Sequence, residues 1–140
     1  MADQKSSQEF ELVIPSNRKN IHRVEEFFRD VNKTICLSDE KLHALLVAVT
    51  EAVNNGIIHG NKNDETKQVT VNCSFQGHVM NVRVKDEGEG FKPEDIANPL
   101  QEDNLLLTGG RGVFLIKTFM QSVKYNEKGN EVTMTMCFGE

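Results

Sequence analysis

A chain of 140 residues, 38% hydrophobic and 26% charged, is long enough for one globular domain with its own core. Its formal net charge of -5 excludes a protein that grips a nucleic-acid backbone through a basic stripe, but leaves room for a small phosphorylated ligand held by local donors. Cys36, Cys73 and Cys137 are far apart and form no CxxC or Cys/His cluster, so neither a disulfide framework nor a cysteine metal centre is expected, and a reduced, cytoplasmic setting is.

The N-terminal MADQKSSQ carries no apolar signal region, and no apolar run approaches ~18 residues, so no membrane contact is expected. Residues 1–8 are expected as a flexible tail and 9–140 as a single domain. FELVI, from Phe10 to Ile14, reads as a short strand that Pro15 stops, and Ser16 or Asn17 can cap a helix. Ile21, Val24, Phe27, Phe28, Val31 and Ile35 recur at helical spacing, which predicts an amphipathic helix over 17–36. Ser38 opens a second helix, with Leu42, Leu45, Leu46, Val49, Val53 and Gly56 on one stripe and its end near His59–Gly60. After the polar loop NKNDETK, residues 69–75 and 79–85 alternate as a hairpin turned at Gln76–Gly77. A loop rich in Gly, Pro and acidic residues fills about 87–108, a length usual for functional lids or disorder. A third helix follows Gly112, and two strands, about 122–126 and 131–138, close the chain around a turn at Lys128–Gly129–Asn130. Segregated helices and mostly hairpin-linked strands predict an α+β two-layer sandwich.

Three places break the folding pattern. Within EAVNNGIIHGNK, Glu51, Asn55 and His59 fall on one i, i+4, i+8 stripe, roughly opposite the apolar one. A solvated face would explain them, but Val47 and Ile58 flank the stripe, and Asn54–Asn55–Gly56 lowers helix propensity with no surface benefit. Asp86–Glu87–Gly88–Glu89–Gly90 comes directly after a strand. It is either an ordinary glycine turn or a carboxylate acceptor beside a backbone that a ligand can approach closely. Thr108–Gly109–Gly110–Arg111–Gly112 leads into VFLIKTFM, where N–H groups before a helix can face an anion; a flexible loop meeting a helix is the plainer alternative. The stretch is neither GxxxxGK[ST] nor a dinucleotide fingerprint.

In this order and spacing, Glu-xxx-Asn on a helix, DxGxG after a strand, a long loop and GxG at a helix start resemble the nucleotide-binding boxes of the gyrase, chaperone, histidine-kinase and mismatch-repair ATPase superfamily. EAVNNGIIHGN and GRGVFLIKTFM are most similar to the anti-sigma-factor serine/threonine kinases of bacterial partner-switching systems, and the resemblance spans about residues 10–138.

That resemblance implies a Bergerat-type ATP-binding fold, a mixed and mostly antiparallel sheet with helices on one face. It also implies ATP and Mg2+ as cofactors, a sigma factor and an anti-sigma-factor antagonist protein as partners, and a homodimer. It implies Glu51 as the general base, Asn55 as the Mg2+ ligand and Asp86 as the reader of the adenine amino group. Gly88 and Gly90 correspond to turn glycines beside base and sugar, and Gly110 and Gly112 to glycines that close on the phosphates. Arg111 is placed to stand in for a basic lid residue, because FKPEDIANPLQEDNLLLTGG offers only Lys92 before it. Arg23 resembles a partner-contacting arginine, with Lys19 where an acidic residue is expected. The expected function is a kinase that phosphorylates a serine of the antagonist and also binds sigma; the alternative is a nucleotide-gated binding module without kinase activity. A histidine kinase is disfavoured, since none of His22, His43, His59 and His78 stands in an acidic acceptor motif, and a gyrase-type clamp would need a further domain.

Overall fold

The computed structural model describes residues 7–88 and 120–138. The elements are β1 (Ser7–Pro15), α1 (Ile21–Ile35), α2 (Asp39–Asn55), β2 (Gln68–Gln76), β3 (Val79–Lys85), β4 (Ser122–Tyr125) and β5 (Glu131–Cys137). The sheet order is β1-β2-β3-β5-β4, and every pairing among the described residues is antiparallel.

β1 begins at Ser7, inside the segment expected as tail, because Ser7 and Gln8 pair with Gln76 and Phe75. The helix expected from residue 17 starts at Ile21. A 3-10 turn, Arg18–Asn20, precedes it, capped by the Asn17 side chain accepting from the Lys19 N–H. Ser16 does not cap; it is buried, and its hydroxyl donates to the Lys67 carbonyl at 2.7 Å. α1 ends at Cys36 in the left-handed conformation, and Asn32 Oδ1 accepts from the Leu37 N–H. Ser38 caps α2 by accepting from the Lys41 N–H, and Asp39 and Glu40 in its first turn suit the positive end of the helix dipole.

The core lies between the helices and one face of the sheet. Val24, Phe28 and Val31 of α1 and Leu45, Val49 and Val53 of α2 are buried in one cluster with Val71, Met80, Val82, Val84, Met134 and Met136. Strand alternation leaves the other face polar: Asn72 donates to Glu9, Arg83 to Asn72, and Thr135 to Asn81. This is the expected α+β sandwich. The helix expected after Gly112 lies outside the described residues.

The end of α2 departs from α geometry. Residues Gly56–Gly60 form a π-helical turn, with the Asn61 N–H donating to the Gly56 carbonyl at 2.7 Å. Lys62 and Asn63 then adopt positive φ, which turns the chain toward β2. A π-turn at the end of an α-helix often marks a functional site.

Candidate functional site

α2 carries Glu51 and Asn55 one turn apart, both half-buried. Beside them, the Asn54 Oδ1 is buried without a hydrogen-bond partner. Asn54 lines an open groove of about 460 Å³ with Arg18, Lys19 and Ile21. Arg23 is exposed on the first turn of α1, and His59 is exposed on the π-turn.

The π-turn brings the end of α2 onto Asp86, the first residue after β3. A Cβ on Gly56 would make ordinary contact with the Asp86 side chain at 3.5 Å. A Cβ on Gly60 would overlap the Asp86 carboxyl group, 2.5 Å from its Oδ1. A Cβ on Gly88 would in turn run into the Gly60 carbonyl, 2.6 Å from its carbon. The carboxylate is thus seated where only glycine leaves it room.

Backbone bonds hold Asp86 from both sides. Its N–H donates to the Asn130 carbonyl at 2.9 Å, and the Asn130 side chain donates back to the Asp86 carbonyl at 3.3 Å. Asn130 is fixed by Asn126, whose Oδ1 accepts from the N–H groups of Gly129, Asn130 and Glu131. On the other side, the Glu87 N–H donates to the Asn61 Oδ1 at 2.8 Å. The Gly88 N–H donates to the Asp86 Oδ1 at 2.7 Å. Burial raises the Asp86 pKa above the ordinary carboxylate value, while the Gly88 N–H and the charge of Lys128 oppose the rise.

The structure therefore brings Asp86 and Gly88 against the helix that bears Glu51 and Asn55. Gly90, Gly110, Arg111 and Gly112 lie outside the described residues. Sequence reasoning missed Gly60, Asn61, Asn126 and Asn130. Gly60 marked only the helix end, and Asn130 only a turn. Asn61 headed a polar run in which nothing separates it from Asn63.

The arrangement fits a nucleotide with a divalent cation. A glycine-lined carboxylate suits an amino-bearing base. One protein amide oxygen suits an ion whose other ligands are phosphate oxygens and water. Among the described residues there is no cluster of three or more His, Cys, Asp or Glu that would hold a metal by itself. Among them, too, no helix is long and apolar enough to cross a membrane.

A family model described as the histidine kinase-like ATPase domain matches residues 14–136. The serine-protein kinase RsbW of Listeria innocua is 33% identical over 110 residues, covering 74% of this chain and 70% of the relative. The anti-sigma F factor of Oceanobacillus iheyensis is 37% identical over 101 residues, 69% of each chain. Among solved structures, that of the RsbU and RsbW domains of a Mycobacterium tuberculosis protein superposes with a TM-score of 0.63 at 14% identity. It covers 94% of this chain, which spans about a third (32%) of that one. A blue-light-activated histidine kinase domain of Erythrobacter litoralis superposes at 0.54 with 19% identity, over 89% of this chain and 62% of that one, and both likenesses concern the fold. The chain belongs to the histidine kinase-like ATPase family, among the anti-sigma-factor serine kinases.

Proposed function

We propose that this chain binds ATP with Mg2+, transfers the γ-phosphoryl group to a serine of an anti-sigma-factor antagonist protein, and binds a sigma factor. The observation that carries this reading is the continuity of α2. One helix holds Glu51 and Asn55, and its π-turn packs Gly56 and Gly60 onto Asp86. Chemistry and base recognition are thereby set on one rigid element.

Asp86 accepts from the adenine amino group, and Gly88 lets the backbone approach the base. Gly90, Gly110 and Gly112 line sugar and phosphates, supported by their resemblance to the family boxes, and Arg111 stands in for a basic lid residue near the γ-phosphate. Asn55 offers its amide oxygen to Mg2+, which when bound neutralises charge on the phosphates. Glu51 takes the proton of the attacking serine hydroxyl as the oxygen bonds to phosphorus and ADP leaves.

Arg23 contacts the protein partner from the exposed start of α1. The neighbouring Arg18 and Lys19 add positive charge on that side, so the partner segment that meets them is acidic. The protein works as a homodimer in the cytoplasm.

Two variants test the reading. Asn55→Ala removes Mg-ATP binding with the fold intact, and Glu51→Ala keeps binding and stops transfer. Unchanged Mg-ATP affinity in Asn55→Ala contradicts the metal assignment.

A further inference from the structure

We infer that Asn61, together with Gly60, is the positioning element that sets the Asp86 carboxylate for base selection. This rests on the proposed role of Asp86 as the adenine reader. Neither residue belongs to the stripe of Glu51, Asn55 and His59 or to the DxGxG turn.

Asn61 is 1% exposed, and each end of its side-chain amide is used. Its Nδ2 donates to the Ser16 Oγ at 2.7 Å and to the Gln68 carbonyl at 3.0 Å. Its Oδ1 accepts from the Glu87 N–H at 2.8 Å. One buried side chain therefore joins the residue after β1, the first residue of β2 and the residue directly after Asp86. Asparagine has the reach and the mixed donor–acceptor character for this: aspartate would set a carboxylate against the Gln68 carbonyl, and leucine would take the Asn61 partner from the Gln68 carbonyl and the Glu87 N–H.

Gly60 acts on the other end of Asp86. Its missing Cβ is what leaves room for the carboxyl group, and its carbonyl abuts Gly88, whose N–H holds Oδ1. Asn61 fixes the backbone after Asp86, and Gly60 fixes where its carboxyl group can lie. Neither touches the nucleotide. Their effect is on which base is accepted, because a carboxylate attracts the 6-amino group of adenine and repels the 6-oxo group of hypoxanthine.

The test is the ratio of ATP to ITP affinity, measured by calorimetry with Mg2+ on the full chain. The ratio does not depend on the fraction of protein that is folded. Asp86→Asn keeps an oxygen for the Gly88 N–H and turns an NH2 toward the base, so it should erase or reverse the preference for ATP. Asn61→Ala and Gly60→Ala should each reduce that preference by about tenfold or more, the loss of one hydrogen bond to a charged group. Ser16→Ala weakens the same junction but leaves the Asn61 Oδ1 on Glu87. It should lower thermal stability and leave the ratio unchanged. If Asn61→Ala does not fold, Gly60→Ala carries the test, since it presses on the carboxyl group with the Asn61 network in place. A ratio unmoved in both Asn61→Ala and Gly60→Ala, with Asp86→Asn effective, overturns this inference alone. A ratio unmoved in Asp86→Asn overturns the adenine reading and the inference with it.

Discussion

The Gly88 N–H donates to the Asp86 Oδ1 at 2.7 Å, and the same glycine leaves no room for a side chain beside the Gly60 carbonyl. One residue thus orients the carboxylate and packs the turn behind it. Gly88→Ala should force the turn away from Gly60 at a cost of about 1–3 kcal/mol in chemical denaturation. It should weaken Mg-ATP binding in calorimetry at the same time. A loss of stability with full ATP affinity would separate the turn from the site.

The raised pKa of Asp86 makes a prediction about pH. Its folded value lies above the unfolded 3.8, so its contribution to stability is fully present below 3.8 and is lost as pH rises through the folded value. At neutral pH the ionised carboxylate is therefore a cost of half-burial. Asp86→Asn should raise the melting temperature of the nucleotide-free protein at pH 7, and the gain should vanish as the pH approaches 3.8. A stability gain together with lost ATP binding is the pattern of a residue held for function. Destabilisation of the nucleotide-free protein at pH 7 would contradict it.

Asn55 ends the α-helical part of α2, just before the π-turn, at a position where alanine is a better helix former than asparagine. Asn55→Ala should leave the melting temperature nearly unchanged without nucleotide. It should also remove the further stabilisation that Mg-ATP gives the wild type, which is about 2.7 kcal/mol at a ligand concentration 100 times Kd. Thermal melts with and without Mg-ATP read both effects.

Cys36 ends α1 with φ 58° and ψ 52°, a conformation that side chains disfavour and glycine does not. Cys36→Gly should stabilise the protein by about 1 kcal/mol in urea denaturation, the left-handed penalty less glycine's greater freedom in the unfolded chain. The Leu37 N–H bond to Asn32 and the Cys36 N–H bond to the Asn32 carbonyl are retained. The residue is exposed and distant in sequence from the site, so ATP binding should not change.

The apolar periodicities were legible because they report burial directly. Val24, Phe28 and Val31 follow the helical spacing of α1, and Met80, Val82 and Val84 the alternation of β3. Glu51, Asn55 and Asp86 stood out because they break those patterns. At the first turn after β1 the sequence offered two caps, Ser16 or Asn17; Asn17 takes the role, and only the meeting with Lys67 draws Ser16 into the interior. The π-turn was not legible either. Gly56 read as a helix weakener and Gly60 as the helix end, and what Gly60 admits is a carboxyl group from residue 86. Asn61 and Asn130 belong to polar turns in the sequence, and only their partners 26 and 44 residues away give them a role. Such long-range pairings leave no local pattern.

The most direct test of the account is phosphoryl transfer from γ-labelled ATP. Wild-type protein and Glu51→Ala would each be incubated with Mg-ATP and lysate of the source organism, after equal ATP affinity is established. The account predicts one small protein labelled on serine by the wild type, and labelling about 10²–10⁴-fold slower with Glu51→Ala. Equal labelling by the two would remove Glu51 as the base. No labelling by a wild type that binds Mg-ATP would contradict the kinase and leave a nucleotide-gated binding module.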